Sequence, residues 1–174
     1  FRCCLENSDH GGQFSQHARS AGVTKPVEGF LVNDHAELEA SGILYYPGPD
    51  VNELAYRRSV INASAYSLCG VTHTTSSARA MDAITGWLTT PLEPWDAVIC
   101  TSDAVKGHVE QLLQAELNRL QHKLGVTKFQ LPQLPVIPLG INTNGFEVSD
   151  ASRVAARTRL GTSDDEIVVL YLGR

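Results

Sequence analysis

The stretch YSLCGVTHTTSS, residues 66–77, gives the clearest indication of the fold of this chain. Residues 66–72 are a nearly continuous apolar and β-favouring run, which predicts a strand that is buried on both faces. The hydroxyl-rich turn that follows contains Ser76 and Ser77, and either serine could cap the helix that comes next. A buried strand followed directly by a capped helix is typical of a parallel α/β sheet.

The same alternation of strands and helices extends along the chain on both sides of this stretch. Further strands are predicted at residues 43–46, 96–100 and 136–137. The clearest helix follows Ser102, because apolar residues recur at intervals of three, four and seven from Val105 to Leu124. We therefore predict an α/β fold with a doubly wound, mainly parallel sheet that carries helices on both faces.

Composition limits the class of protein. A length of 174 residues allows one domain, or one domain and the end of another. The formal net charge of −5 argues against a nucleic-acid binder that relies on a general basic field. No apolar stretch is long enough to predict a membrane span. The four cysteines fit no zinc-binding spacing, and we expect free thiols in a reducing compartment.

Candidate site residues follow the predicted strands, because ligands of open α/β sheets bind outside the carboxyl ends of the strands. His73 could accept a proton, donate a hydrogen bond to a hydroxyl or contact a sugar ring, or it could be a surface histidine without a task. Thr101 and Ser102 fit a helix cap as well as a ligand contact. Arg174, after an apolar run and a glycine, could hold a phosphate.

Several familiar motifs are missing from the sequence. It contains no G-x-G-x-x-G fingerprint and no Walker A sequence, which disfavours a dinucleotide oxidoreductase or a P-loop NTPase. It also contains no G-x-S-x-G elbow of the kind found in α/β-hydrolases.

Four segments in order carry a resemblance to a known family. They are YSLCGVTHTTSS (66–77), PWDAVICTS (94–102), LPVIPLGINTNGF (134–146) and IVVLYLGR (167–174). In this combination the chain resembles bacterial group 1 glycosyltransferases, which belong to glycosyltransferase family 4 and have the GT-B fold. The resemblance covers residues 66–174 well and residues 1–65 only loosely.

The resemblance implies a division of the chain. Residues 1–166 would be the N-terminal, acceptor-side, Rossmann-like domain, and residues 167–174 the first strand of the C-terminal domain that binds the nucleotide-sugar. The family's opening strand would precede Phe1, and most of the donor site would follow Arg174. We therefore expect a fragment of a cytoplasmic bacterial enzyme that transfers no sugar by itself.

The resemblance also implies roles for individual residues. His73 matches the catalytic histidine that faces the transferred sugar, and Arg174 matches an arginine that contacts the donor pyrophosphate. Asn142 stands where the family usually has aspartate, and it should keep the same turn. Further substrate contacts are expected from hydroxyl side chains, namely Thr74, Thr75, Thr101 and Ser102.

The implied reaction is hexosyltransferase-like transfer from a nucleotide-diphosphate sugar to an acceptor, with retention of configuration. Neither a metal nor a cofactor is expected, and the sequence identifies neither the donor sugar nor the acceptor. The alternative is a non-enzymatic sugar- or nucleotide-binding α/β domain that keeps the fold without the chemistry. A lysine and paired glutamates beyond Arg174 would favour the enzyme.

The apolar run at residues 167–172 has no charge and no proline. A run of this kind is prone to pair with any open strand edge. We expect it to pair with an available sheet edge or with a neighbouring copy of the chain.

Overall fold

The computed structural model describes residues 1–171, which form two compact units that meet in sequence at Leu139 and Gly140. The unit at residues 1–139 is an α/β structure. Its elements in chain order are β1 (Arg2–Leu5), α1 (His10–Ser20), β2 (Glu28–Leu31), α2 (His35–Ser41), β3 (Ile43–Tyr45), α3 (Asn52–Ile61), β4 (Ser67–Val71), α4 (Ala78–Gly86), β5 (Ala97–Ile99) and α5 (Asp103–Leu124). The domain boundary at 166/167 implied by the resemblance stays a prediction.

All strand pairs in this unit are parallel. β1 pairs with β2, and a second sheet has the order β3-β4-β5, in which Cys69 of β4 is opposite both Tyr45 and Ala97. The α/β class and the parallel pairing are thus confirmed. The five described strands lie in two small sheets, however, instead of the single sheet that we predicted.

Residues 133–137 run along the open edge of β5 without forming a regular strand. Val98 N donates to Gln133 O at 2.8 Å, and isolated parallel bridges link the segment to β5. Pro135 in its middle has no N–H to donate, and proline is tolerated only at such sheet edges. The strand predicted at 136–137 is therefore reduced to isolated bridges.

The long helix α5 has the predicted apolar stripe. Ser102 caps its first turn by accepting from Val105 N at 3.1 Å, and Gly125 ends it in the left-handed conformation at φ +67°. α5 packs against α4, and its buried face joins the main core. Its buried residues are Val109, Leu113, Leu117 and Leu120.

A charged pair lies inside this core. The side chain of Arg58 on α3 is 0% exposed and that of Asp96 is 1% exposed, and their two N–O contacts measure 2.6 and 2.7 Å. Arg58 also donates to Tyr66 O at 2.9 Å, and Asp96 accepts from Leu68 N and Glu93 N, each at 2.8 Å. The pair therefore joins α3, β4 and the segment that enters β5.

The second unit contains a 3₁₀ helix at Thr143–Gly145 and the helix α6 at Asp150–Leu160. Asn142 Oδ1 accepts from Asn144 N at 3.1 Å, so asparagine supports the turn as expected. Residues 167–171 belong to no helix or strand, and their expected pairing with a sheet edge stays a prediction. Residue 172 lies outside the described residues, and pairing with a second copy stays a prediction.

No helix within residues 1–171 combines the length and the apolar character needed to cross a bilayer.

The buried pair generates a stability prediction. Replacing Arg58 with methionine keeps much of the side-chain volume but leaves Asp96 buried without its cation, which should cost about 3–5 kcal/mol. The matched control is Arg57→Met one position earlier, which removes only an exposed pair with Glu53 and should change the stability by less than about 0.5 kcal/mol. Urea unfolding of both variants measures the difference, and equal effects would contradict the assignment.

Candidate functional site

The carboxyl ends of β4 and β5 are joined by threonine hydrogen bonds. Thr72, directly after β4, is buried, and both its backbone N and its Oγ1 donate to Ile99 O, at 2.9 and 3.1 Å. Thr101, after β5, donates from its Oγ1 to Thr72 O at 3.4 Å. The segments that begin at His73 and at Thr101 therefore start side by side.

The loop after β3 reaches the same edge. Gly48 O accepts from Val71 N at 3.0 Å, and Pro49 O accepts from the Trp87 indole N–H at 3.1 Å. This close approach requires glycine at position 70, because a Cβ there would lie 2.8 Å from Gly48 O. Three consecutive strands of the sheet thus contribute their ends to one surface.

His73 lies on this surface with an exposed side chain. A Cβ built on Gly48 would lie 3.7 Å from His73 Cε1 and 3.0 Å from Tyr46 Cε1, so the two rings flank that glycine. Within residues 1–171 the imidazole makes no hydrogen bond and no ion pair. It is therefore available to donate to or accept from a ligand at the strand ends.

The turn after His73 carries two of the predicted hydroxyl residues. Thr74 and Thr75 are partly buried, and Thr74 Oγ1 lies 3.2 Å from Ser76 Oγ. Ser77 caps α4 by accepting from Ala80 N at 3.2 Å, which decides between the two serines. His73, Thr74 and Thr75 therefore share one turn between a buried strand and a helix N-terminus.

The other predicted site residues have separate positions. Thr101 and Ser102 lie next to this turn. The Thr101 hydroxyl donates to Thr72 O and so links the ends of β4 and β5, and the Ser102 hydroxyl caps α5. Their contacts with a substrate stay a prediction. Arg174 lies outside the described residues.

Sequence reasoning missed two features of this surface. The first is Tyr46, whose ring stands beside His73 across Gly48; the strand-ending sequence YYPGP could have indicated it. The second is a surface ion pair at 3.4 Å between Asp50 and Arg79 of α4. Because Arg79 is largely exposed, the pair contributes little to stability.

The thiols near the site are poor nucleophiles. Burial raises the pKa of the Cys69 thiol in β4 and of the Cys100 thiol at the end of β5, so both remain protonated at neutral pH. Within the described part of the chain, no group of three or more histidine, cysteine or acidic side chains could hold a metal ion. Besides the ion pair between Asp50 and Arg79, the surface therefore offers an imidazole, hydroxyls and a phenol as its chemical groups.

No protein-family model, no curated protein and no solved structure matches this chain significantly. The functional argument therefore depends on the geometry of the strand ends and on the sequence motifs.

The exposure of His73 predicts a small effect on folding. His73→Ala removes no buried contact or hydrogen bond, so the free energy of unfolding should change by less than about 1 kcal/mol. In the same strand and turn, Leu68→Ala empties a fully buried position and should cost about 2–5 kcal/mol. Urea unfolding compares the two variants, and a large loss for His73→Ala would show that this histidine is structural.

The cysteines allow a prediction about pH dependence. Burial raises the pKa of all four thiols, so the thiolate that reacts with iodoacetamide forms at higher pH than in a free cysteine. The alkylation rate of the folded chain should be low at pH 7.5. It should begin to increase at a higher pH than the alkylation rate of the urea-unfolded chain. Mass spectrometry of the labelled peptides measures the rates, and a folded-state thiol that reacts faster than a free cysteine near neutrality would contradict the assignment.

Proposed function

We propose that this chain is the acceptor-side part of a cytoplasmic glycosyltransferase of family 4. In this proposal the parallel α/β unit is the Rossmann-like, doubly wound N-terminal half of a GT-B enzyme. The complete enzyme transfers a hexose from a nucleotide-diphosphate sugar to an acceptor with retention of configuration. The observation that carries the proposal is the exposed imidazole of His73, placed where three parallel strands end together.

The chemistry of this surface supports a sugar ligand. The imidazole of His73 can donate a hydrogen bond to a sugar hydroxyl or accept one from it. The neighbouring hydroxyls of Thr74 and Thr75 can likewise donate or accept as the ligand requires. The phenol of Tyr46 combines an apolar ring with a polar tip, which suits a ligand that has both apolar and hydroxyl faces. Ligands of open α/β sheets bind at this edge.

The proposed mechanism stabilises charge without covalent help from a thiol. As the bond between the sugar and the leaving phosphate breaks, negative charge develops on the phosphate oxygens. Cations such as Arg174, together with a helix N-terminus, would stabilise that charge in the closed enzyme. His73 would hold the transferred sugar from the acceptor side, where a hydrogen bond that strengthens in the transition state accelerates the reaction.

Catalytic loss without unfolding is the expected signature of His73. In the full-length gene product, His73→Ala should lower kcat/KM by roughly 30- to 1000-fold, which corresponds to about 2–4 kcal/mol of transition-state stabilisation. His122→Ala is the matched control, because His122 is an exposed histidine on α5 and should leave the rate unchanged. Initial rates and melting curves are recorded for both variants. A normal rate for His73→Ala would contradict the proposed catalytic role of this histidine.

A second experiment tests the activity itself. The 174-residue chain and the full-length gene product are incubated with a panel of nucleotide-sugars and acceptors, and transfer is followed by mass spectrometry. We expect transfer by the full-length protein and none by the chain alone, because donor and acceptor must be held together in a closed cleft. Tight binding of a nucleotide-sugar by the full-length protein without turnover would favour the non-enzymatic binding domain instead.

A further inference from the structure

Asn144 in the second unit is followed directly by Gly145. The sequence contains seven asparagines, and Asn144 is the only one that precedes a glycine. The backbone nitrogen of the next residue can attack an asparagine side chain, and glycine hinders that attack least because it has no Cβ and the freest backbone. The pair therefore has the local chemistry for a spontaneous modification of the chain.

The side chain of Asn144 is also unrestrained in the part of the chain that the structure describes. It is exposed, and its amide makes no hydrogen bond within residues 1–171. Five other asparagine side chains are held by hydrogen bonds, namely those of Asn7, Asn52, Asn62, Asn118 and Asn142. The remaining one, Asn33, precedes an aspartate. Only Asn144 therefore combines a free side chain with an unhindered neighbour in residues 1–171.

The backbone around Asn144 is a single turn of 3₁₀ helix at the surface. Phe146 N donates to Thr143 O at 3.0 Å, and Asn142 Oδ1 accepts from Asn144 N at 3.1 Å. A short 3₁₀ turn has poor hydrogen-bond geometry, and an exposed turn of this kind opens at little cost in free energy. Opening the turn lets the Gly145 nitrogen approach Asn144 Cγ.

We propose that Asn144 is a site of spontaneous deamidation in the folded chain. Gly145 N loses its proton to a base in the solvent and attacks Asn144 Cγ. The new C–N bond closes a cyclic succinimide, and the side-chain nitrogen takes up a proton and leaves as ammonia. Water is the co-reactant of the step that follows, and no group is oxidised or reduced.

Hydrolysis of the succinimide gives two products. Attack of water on Cγ breaks the new bond and leaves an aspartate in a normal chain. Attack on the backbone carbonyl of Asn144 breaks the original peptide bond to Gly145 and leaves isoaspartate, in which the chain continues through the former side chain. Each product carries a new carboxylate, which adds one negative charge to the formal net charge of −5.

The isoaspartate product should disrupt the 3₁₀ turn. It inserts an extra methylene into the backbone between Thr143 O and Phe146 N, so the bond that joins them can no longer keep its geometry. The main hydrophobic core is built from residues of the first unit, and its packing should stay unchanged. The modification therefore alters charge and backbone locally without unfolding the α/β unit.

The test incubates the full 174-residue chain at mildly alkaline pH and follows every asparagine by tryptic peptide mapping with mass spectrometry. We expect Asn144 to convert before any other asparagine, and faster as the pH is raised, because the attacking nitrogen must lose its proton. Asn142 lies on the same tryptic peptide, residues 129–153, and precedes a threonine. It is the internal control and should stay an amide.

Gly145→Ala tests the mechanism. Gly145 does not have a positive φ, and a Cβ there would meet no atom within 4 Å, so alanine fits the fold, which circular dichroism checks. The added methyl hinders the attack, and the variant should lose most of the modification. Gly140→Ala is the matched control, because Gly140 has equally open surroundings but follows no asparagine, and its rate should equal that of the wild type.

Three results would each overturn the proposal. The first is an Asn144 that stays an amide in the folded chain while it converts in the urea-unfolded chain. The second is a rate in Gly145→Ala equal to the rate in Gly140→Ala. The third is a modified Asn144 peptide that contains no isoaspartate, which fragmentation by electron transfer distinguishes from aspartate.

Discussion

The buried ion pair between Arg58 and Asp96 is the interaction on which the rest of the first unit depends. Its bonds to Tyr66 O and Leu68 N hold the start of β4 against the residue that precedes β5. Fixing these two strands at their amino ends also fixes where their carboxyl ends meet. The ion pair at the amino ends of the strands therefore helps to determine where Thr72 and Thr101 meet beside His73, at the carboxyl ends.

This arrangement carries an energetic cost as well as a gain. Two charges have been removed from water, and Arg58 Nε has no hydrogen-bond partner within the described residues. Apolar side chains of the same size can replace many buried ion pairs without loss of stability. What apolar side chains would not supply is the directed acceptor for Leu68 N and Glu93 N. We therefore expect the pair to contribute to the strand register more than to net stability.

The sequence predicted those parts of the fold in which local patterns agree with the tertiary structure. The stripe of α5 and the apolar runs of β4 and β5 are local signals, and each produced the expected element. The burial of Arg58 could not be predicted, because its partner lies 38 residues away and the adjacent Arg57 has the same chemistry on the surface. The split into two sheets could likewise not be predicted from local sequence patterns, because it depends on which strands pair with each other.

The candidate site was predictable to a similar extent. The rule that ligands bind at strand ends led to His73 and Thr101, and the structure places their segments side by side. It did not lead to Tyr46, because a tyrosine at the end of an apolar run resembles a core residue. Ser102 caps α5 in the structure, and its contact with a substrate stays a prediction, because the same hydroxyl pattern fits either role.

The hydrogen bond from Trp87 to Pro49 has a spectroscopic consequence. Trp87 is fully buried, whereas the second tryptophan, Trp95, is 44% exposed, so the two indoles experience different polarity. The fluorescence of Trp87 should be blue-shifted relative to that of Trp95, and it should respond when the loop that carries Gly48 moves. Since that loop lies against His73, the chain contains an intrinsic optical reporter of events at its strand ends, and a ligand could be titrated there without any added label.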